Sequence, residues 1–342
     1  MGMKVKDLAK LLNLSPSTVS LVLNNRPGIS DATRKKVKDA VKELGYEELL
    51  VQDMEEKKTI LFVVYRKHGA AATSTPYFSQ LFSEIIEGVE SQARTKGYHL
   101  MVSYVDKDNY RQEAARIRSE QAEGVLLLAT EMEEGQIAAF LDLPIPLVVL
   151  DNYMEQNQFD CVTMNNELGV YEAVCHLAEC GHRDIGYFHV VRNANNFTER
   201  YFGFQRAMER LSLPVNKENI VEIATEGGDA VYEELKRKLK GRESLPTAFF
   251  ADNDIVAICA MRVLRELGYA IPQDVSIIGF DNMTLSEMLD PPLTTIQIPK
   301  RMMGMAAVNA IIEKIKEDGG QGVLKTEVAT SLIVRQSVRV IE

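Results

Sequence analysis

Apolar residues recur at helical spacing from the start of the chain: Val5, Leu8, Leu11 and Leu12 mark a first helix, which Asn13, Leu14 and Ser15 break. Pro16 suits the first turn of a second helix, where a missing N–H costs nothing, and Ser15 is its expected N-cap. That helix runs to about residues 22–23, with Val19 and Val22 inward and Pro16, Ser17, Ser20 and Leu21 facing outward. A third helix stands behind the pair. From residue 59 the pattern changes to short, nearly continuous apolar runs separated by helical stretches. Runs at 59–65, 99–105, 124–129 and 146–151 predict one series of strands, and runs at 184–190, 219–224, 248–252 and 275–281 a second. Strands this apolar are covered on both faces, and the stretches between them are long enough for right-handed parallel crossovers. The expected fold is an all-α helix-turn-helix headpiece followed by an α/β body of two doubly wound parallel-sheet lobes.

Charge separates the two parts. Residues 1–46 hold nine Lys or Arg against four acids, plus five in a chain whose total is −10. A basic module on an acidic body is what phosphate attraction requires, because each neutralised phosphate releases counterions. The next segment, 47–58, EELLVQDMEEKK, carries five acids and two lysines and reads as a hinge or linker. At 342 residues and 46% hydrophobic content the chain supports more than one core. No stretch approaches eighteen uncharged apolar residues, and MGMKVKDLAK enters a charged helix directly, which points to a cytoplasmic protein. Four cysteines, with neither framework density nor a CxxC pair, suit a reducing compartment.

Catalytic and metal chemistry find little support. Cys175, His176, Cys180 and His182 have zinc-ligand types, but on one helix ending at Gly181 they scatter over different faces. Gly181 more simply ends that helix with a left-handed turn. There is no GxSxG, HExxH, Walker loop or GxGxxG, and Gly227-Gly228 is too short a signal for phosphate. Neither enzyme activity, cofactor nor metal is expected. Met302, Met303 and Met305 read as interlobe or dimer packing.

Two doubly wound lobes in series bring the carboxyl ends of their strands to a shared cleft, where open parallel sheets bind ligands. Sugars and purines need convergent charged or amide groups among aromatic or apolar walls. Asp151, Asn253 and Asp281 sit at or just past strand ends, Arg200 follows a polar loop containing Asn196, and Tyr77 and Phe78 could stack on a ring. Asn165 is a further candidate. The alternative is structural: Asp281 and Asn253 as helix caps, Tyr77 and Phe78 as core.

The headpiece closely resembles the DNA-binding module of the lactose-repressor (LacI/GalR) family of bacterial transcription regulators. The matching residues are Lys6-Asp7-Leu8-Ala9, Ser17-Thr18-Val19-Ser20, Val22-Leu23-Asn24, Pro27-Gly28-Ile29-Ser30, Thr33-Arg34 and Leu44-Gly45-Tyr46. In the body the resemblance continues through Tyr77-Phe78, Gly181-His182-Arg183, Arg200 with Gly203-Phe204, Asn253-Asp254, 272–281 and Pro292 to Ile296. It implies an allosteric repressor, working as a homodimer, that reads double-stranded operator DNA under control of a sugar-like or purine-like effector. Positions matching Arg200, Asn253 and Asp281 often touch the effector in that family, and those matching Tyr77 and Phe78 sometimes do. A phosphocarrier protein docks on some relatives.

The resemblance implies domains at 1–46, 47–58 and 59–342, with lobe 1 at about 59–161 plus 293–323 and lobe 2 at about 162–292 plus 324–342. The helix near 301–316 would return to lobe 1 and the final strand to lobe 2. Expected phosphate contacts are Lys4, Lys6, Asn24 and Arg34, with Ser15, Thr18 and Ser30 contributing hydroxyls or helix-terminal amides. Pro16, Ser17, Ser20 and Leu21 would face bases. Two departures matter. Leu21 stands where most relatives carry arginine, and leucine cannot grip guanine bidentately, so either affinity is lower or readout shifts toward a thymine methyl. Glu48 and Leu49 replace the usual hinge Pro-Asn, and Glu55 stands near the usual leucine wedge. The segment is then either an amphipathic turn, with Leu50 or Met54 as a shifted wedge, or a flexible linker. A sugar-binding protein whose headpiece no longer binds DNA is the alternative.

Overall fold

In the computed structural model the chain forms two compact units, residues 1–58 and 59–342. The structure describes residues 5–24, 26, 28–46, 58–67, 76–117, 122–154, 159–192, 194–317 and 322–342, with backbone alone for 76–79. Lys4, the side chains of Tyr77 and Phe78, and linker residues 47–57 lie outside the described residues.

The first unit holds α1 (Val5–Leu12), α2 (Pro16–Leu23) and α3 (Asp31–Glu43). Serines cap the last two: the Thr18 amide donates to Ser15 Oγ at 3.0 Å and the Thr33 amide to Ser30 Oγ at 3.4 Å. Leu8, Ala9, Val19, Val22, Leu23, Val37 and Val41 form the core, with Val5, Leu12, Leu14, Ile29, Ala40 and Tyr46 packed around it. Leu11 belongs to α1 but not to its buried face, being 62% exposed. At about 100° per residue, Leu8, Leu12, Val5 and Ala9 fill one arc, and Leu11 falls about 60° outside it.

In the second unit the first sheet contains β1 (Thr59–Tyr65), β2 (His99–Val105), β3 (Gly124–Leu128), β4 (Leu147–Leu150), β5 (Asp160–Met164) and β11 (Lys325–Val328). The other contains β6 (Ile185–Val190), β7 (Ile220–Ile223), β8 (Ala248–Ala251), β9 (Ser276–Asp281), β10 (Thr294–Gln297) and β12 (Ser331–Ile333). Their orders, β11-β5-β4-β3-β1-β2 and β12-β10-β9-β8-β6-β7, are the same pattern twice. The pairing is parallel except between β10 and β12. Alternation along β1 sends Ile60, Phe62 and Val64 to one layer and Leu61, Val63 and Tyr65 to the other.

Strands β5 and β10 lacked a sequence signal, and they move the lobe boundaries. β5 pairs with β4 over Asp160–Val162 and with β11 through Met164, so lobe 1 runs through Met164 instead of ending near 161. All of β10 pairs with β9, so the return to lobe 1 comes after 297 and not at 293. Residues 325–328 then pair with β5 in lobe 1, where lobe 2 was expected from 324, and only β12 joins lobe 2.

The helices are α4 (Pro76–Thr95), α5 (Tyr110–Ile117) and α6 (Glu134–Ile137), then α7 (Asn166–Glu179), α8 (Asn195–Arg210) and α9 (Gly228–Leu239), and finally α10 (Asp254–Glu266), α11 (Thr284–Glu287) and α12 (Lys300–Lys316). Returning to lobe 1, α12 packs on α4 and on β3, β4 and β5. Two glycines set that crossing. A Cβ at Gly88 would lie 2.1 Å from the Arg301 carbonyl oxygen, and one at Gly304 would lie 2.4 Å from that of Ile85. Gly181 ends α7 at a φ of +92°. No described helix is long and apolar enough to cross a membrane.

Candidate functional site

The outer face of α2 carries Pro16, Ser17, Ser20 and Leu21, with no acidic or basic residue in its first or last turn. Its polar groups bond to one another along the helix. Ser15 Oγ lies 2.7 Å from Ser17 Oγ and 2.8 Å from Thr18 Oγ1. Asn24 donates from Nδ2 to the Ser20 carbonyl at 2.8 Å, closing the other end. Arg34 is spent partly on structure, because Nη2 donates to the Arg26 carbonyl at 2.6 Å. Lys6, Ser15, Asn24 and Ser30 are exposed, whereas Thr18 and Ser20 are half-buried.

In the body, the cleft is crossed by one continuous hydrogen-bond chain. Thr130 Oγ1 donates to Asp151 Oδ2 at 2.7 Å, and across the lobes Asn196 Nδ2 donates to Asp151 Oδ1 at 3.0 Å. Asn166 Nδ2 then donates to Asn196 Oδ1 at 2.9 Å, and Arg200 Nε to Asn166 Oδ1 at 2.8 Å. Arg200 also donates from Nη1 to the Asp252 carbonyl, and its guanidinium lies 3.8 Å from the Phe280 ring centre. The chain ends at Asp281. Arg200 Nη2 is 3.7 Å from Asp281 Oδ1, and neither oxygen of that fully buried carboxylate accepts a hydrogen bond in the protein.

Electrostatics follow from this geometry. Burial pushes the Asp281 carboxyl up to about 8, against the pull of Arg200 and with Asp254 adding to the rise. Asp254 is also raised, to about 6, again by burial, although Ser286, Thr295 and the Met283 amide bond to its carboxylate. Asp151 rises through burial against its bonds to Thr130 and Asn196. Asp151 and Asp281 both have positive φ, 60° and 111°. Non-glycine residues seldom adopt such values, and they concentrate where ligands bind.

Asp151, Asn196, Arg200 and Asp281 are thus brought together, and two other candidates serve as helix caps. Asn165 Oδ1 accepts from the Leu168 amide at 2.8 Å and caps α7, and Asn253 Oδ1 accepts from the Val256 amide at 2.9 Å and caps α10. Both sit where a strand hands over to a helix, so cap and site share one signal. Asp281 does not cap the helix after it: the Met283 amide donates to Asp254 Oδ2 at 2.8 Å. The sequence reading missed Asn166, Thr130, Asn195 and Lys300. Asn195 Nδ2 donates across the cleft to Asn152 Oδ1 at 2.7 Å, and Lys300 Nζ donates to the Asp281 carbonyl at 2.9 Å. Further cross-lobe pairs are Lys67 with Glu226 at 3.0 Å and Lys325 with Glu199 at 3.3 Å. Among the described residues no cluster of three or more His, Cys, Asp or Glu is arranged to hold a metal. Cys180 Sγ is 3.8 Å from His176 Nε2, while His182 turns away to Thr247 and the Arg339 carbonyl.

A helix-turn-helix unit joined to a two-lobed, ligand-cleft body defines a DNA-binding transcription regulator. Residues 4–48 match the model for bacterial regulatory proteins of the lacI family, and residues 174–338 match the periplasmic binding protein-like domain. The HTH-type transcriptional repressor PurR of Haemophilus influenzae (strain PittEE) is 33% identical over 343 residues, covering 98% of each chain. The lac repressor dimer bound to operator and the anti-inducer ONPF is similar in structure, with a TM-score of 0.69, 22% identity and coverage of 99% of this chain and 100% of that one. A LacI family regulator from Enterococcus faecalis V583, solved with bound ribose, has a TM-score of 0.66 and 26% identity, covering 83% of this chain and all of its own. The chain belongs to the lacI family of bacterial regulatory proteins.

Proposed function

We propose that the chain is a repressor whose grip on operator DNA is set by a small polyhydroxylated molecule held between the lobes. The observation that carries this is Asp281, a buried carboxylate with two bare oxygens beside a stacked arginine. A buried polar group without a partner costs about 1–3 kcal/mol, and more when charged, so a ligand with paired donors is the natural complement. Vicinal hydroxyls fit, and the ribose bound by the Enterococcus faecalis relative is of that class. A purine edge offers paired N–H donors too, and makes a nucleobase the competing outcome.

Lys6, Ser15, Thr18, Asn24, Ser30 and Arg34 would contact phosphates, and Pro16, Ser17, Ser20 and Leu21 would face bases. A second copy would cover edge strand β2, whose Met101 and Tyr104 are exposed. Ligand binding at Asp281 would reset the Asp151–Asn196 junction between the lobes and through it the spacing of paired headpieces.

The test has two arms. A thermal-shift screen of sugars, sugar phosphates and nucleobases on the full chain should find a stabilising compound. Mobility-shift titrations on the chain's own upstream DNA should show sequence preference that this compound alters. Binding no tighter than to bulk DNA would leave a sugar-binding protein with an idle headpiece.

A further inference from the structure

Among the described residues Lys300 is the only buried lysine, at 2% exposure. It is also the first residue of α12, where the positive end of the helix disfavours a cation. A charge buried in such a place is costly unless its partners compensate. Lys300 Nζ donates to the Asp281 carbonyl at 2.9 Å and lies 3.4 Å from Glu84 Oε1. Asp281 ends β9 of lobe 2 and Glu84 stands on α4 of lobe 1, so one ammonium serves both lobes. Gln80 of α4 adds to the tie: its Nε2 donates to the same Glu84 oxygen at 2.9 Å, and its Oε1 accepts from the Thr284 amide of lobe 2 at 3.1 Å. The charges facing the Asp281 carboxyl are Arg200 from α8, Asp254 from α10, Lys300 from α12 and Asp151 from the end of β4. Of the two cations, Lys300 is the one that also pairs with a carboxylate of lobe 1.

Resting on the effector-controlled reading above, we propose that Lys300 is a positioning residue that passes the charge state of Asp281 to α4. While the Asp281 carboxyl is protonated, the ammonium is held by Glu84. A ligand that donates to the Asp281 carboxylate favours its ionised form, and a second negative charge then competes for the same ammonium, which slackens the tie to Glu84. The helices that carry the two partners meet backbone to backbone at Gly88 and Gly304, so a shift at the start of α12 is felt along α4. Such a coupling is reciprocal: whatever Asp281 does to Glu84, Glu84 does to Asp281.

Reciprocity allows a test on the full-length chain without effector. Melting is followed from about pH 5 to about pH 10 for the natural chain, Lys300→Met, Lys300→Arg and Glu84→Gln, each alone and combined with Asp281→Asn. The part of the pH slope that Asp281→Asn removes belongs to Asp281, and in the natural chain it ends near about 8. Lys300→Met takes away a cation that holds this carboxyl down, so the end of that part should move up by about one pH unit or more, and Lys300→Arg should keep it in place. Glu84→Gln removes the competing anion and leaves Lys300 to Asp281, so the end should move down by roughly half a unit. Melting curves lowered equally at every pH, with the Asp281 part ending where it does in the natural chain, would reduce Lys300 and Glu84 to packing and overturn the role. A shift in Lys300→Met without one in Glu84→Gln overturns the link to α4. Should Lys300→Met fail to fold, Glu84→Gln decides, because that side chain is 35% exposed and its loss is tolerable. No arm needs a ligand, so a compound screen that finds nothing overturns the effector reading separately.

Discussion

Asp151 and Asp281 end equivalent strands, β4 and β9, of the two lobes with backbones of positive φ, yet both oxygens of the first are hydrogen-bonded and both of the second are bare. The same two-residue sequence, Asp-Asn, stands at the carboxyl end of each strand. One copy has become a joint between lobes. The other keeps both oxygens bare beside Arg200.

Asp281→Asn should stabilise the ligand-free chain and remove its response to effector. The amide avoids a buried charge, so melting at pH 8 should rise by a few degrees, at about 2–4 °C per kcal/mol for a body of this size. Differential scanning fluorimetry with and without the screened ligand reads both effects.

Arg200→Ala should act oppositely. It strips Asp281 of its neighbouring cation and leaves Asn166 Oδ1 without its donor. A loss of about 3–5 kcal/mol follows from unpairing buried charge, measurable by urea denaturation monitored at the tyrosines.

Stability should fall as pH rises from about 5 to about 8.5. Asp254 and Asp281 are raised in the folded state, to about 6 and about 8, against about 3.9 for an unfolded aspartate. The native state therefore holds more protons across this window, and deprotonation through 6 and then 8 removes that advantage. Effector that donates to the Asp281 carboxylate should bind more tightly as pH approaches 8. Calorimetric melts of the natural chain and Asp281→Asn across the window check this, with the upper part of the slope absent in the variant.

Asn196→Ala cuts the chain between Asp151 and Asn166 and should weaken effector binding about five- to hundredfold, equivalent to about 1–3 kcal/mol for a buried hydrogen-bond network left incomplete. Isothermal titration reads the loss. If closure stores the allosteric signal, operator affinity in the absence of ligand should shift as well.

Ser15→Ala should cost the headpiece about 1 kcal/mol by removing the α2 cap, and weaken binding to all DNA sequences alike. Filter-binding titrations on specific and bulk duplexes distinguish that from a loss of readout.

Much of this was legible in the chain because apolar periodicity reports burial: β1 runs over 59–65 in both the sequence pattern and the structure. The strands that escaped are those whose burial does not show in composition. β5 is Asp-Cys-Val-Thr-Met and β10 is Thr-Thr-Ile-Gln; both are largely buried, but polar side chains dilute the apolar run. Asp281 stood out at a strand's carboxyl end and Arg200 after a polar loop. The Thr130–Asp151–Asn196–Asn166 chain did not, because its bonds join residues 21 to 45 positions apart and no local spacing encodes them. The capping bonds of Asn165 and Asn253 are local, three residues in span, and a strand-to-helix junction in the sequence marks cap and candidate site alike.

The placement of β11 and β12 bears on synthesis. Residues 325–328 and 331–333 lie at the margin of one sheet and then of the other. A ribosome must therefore deliver residues 325–333 before either lobe can seal its flank, and both are completed within the same few codons. Loss of these residues would injure both halves of the cleft at once, which makes the segment a shared checkpoint for a body that looks, strand by strand, like two independent pieces.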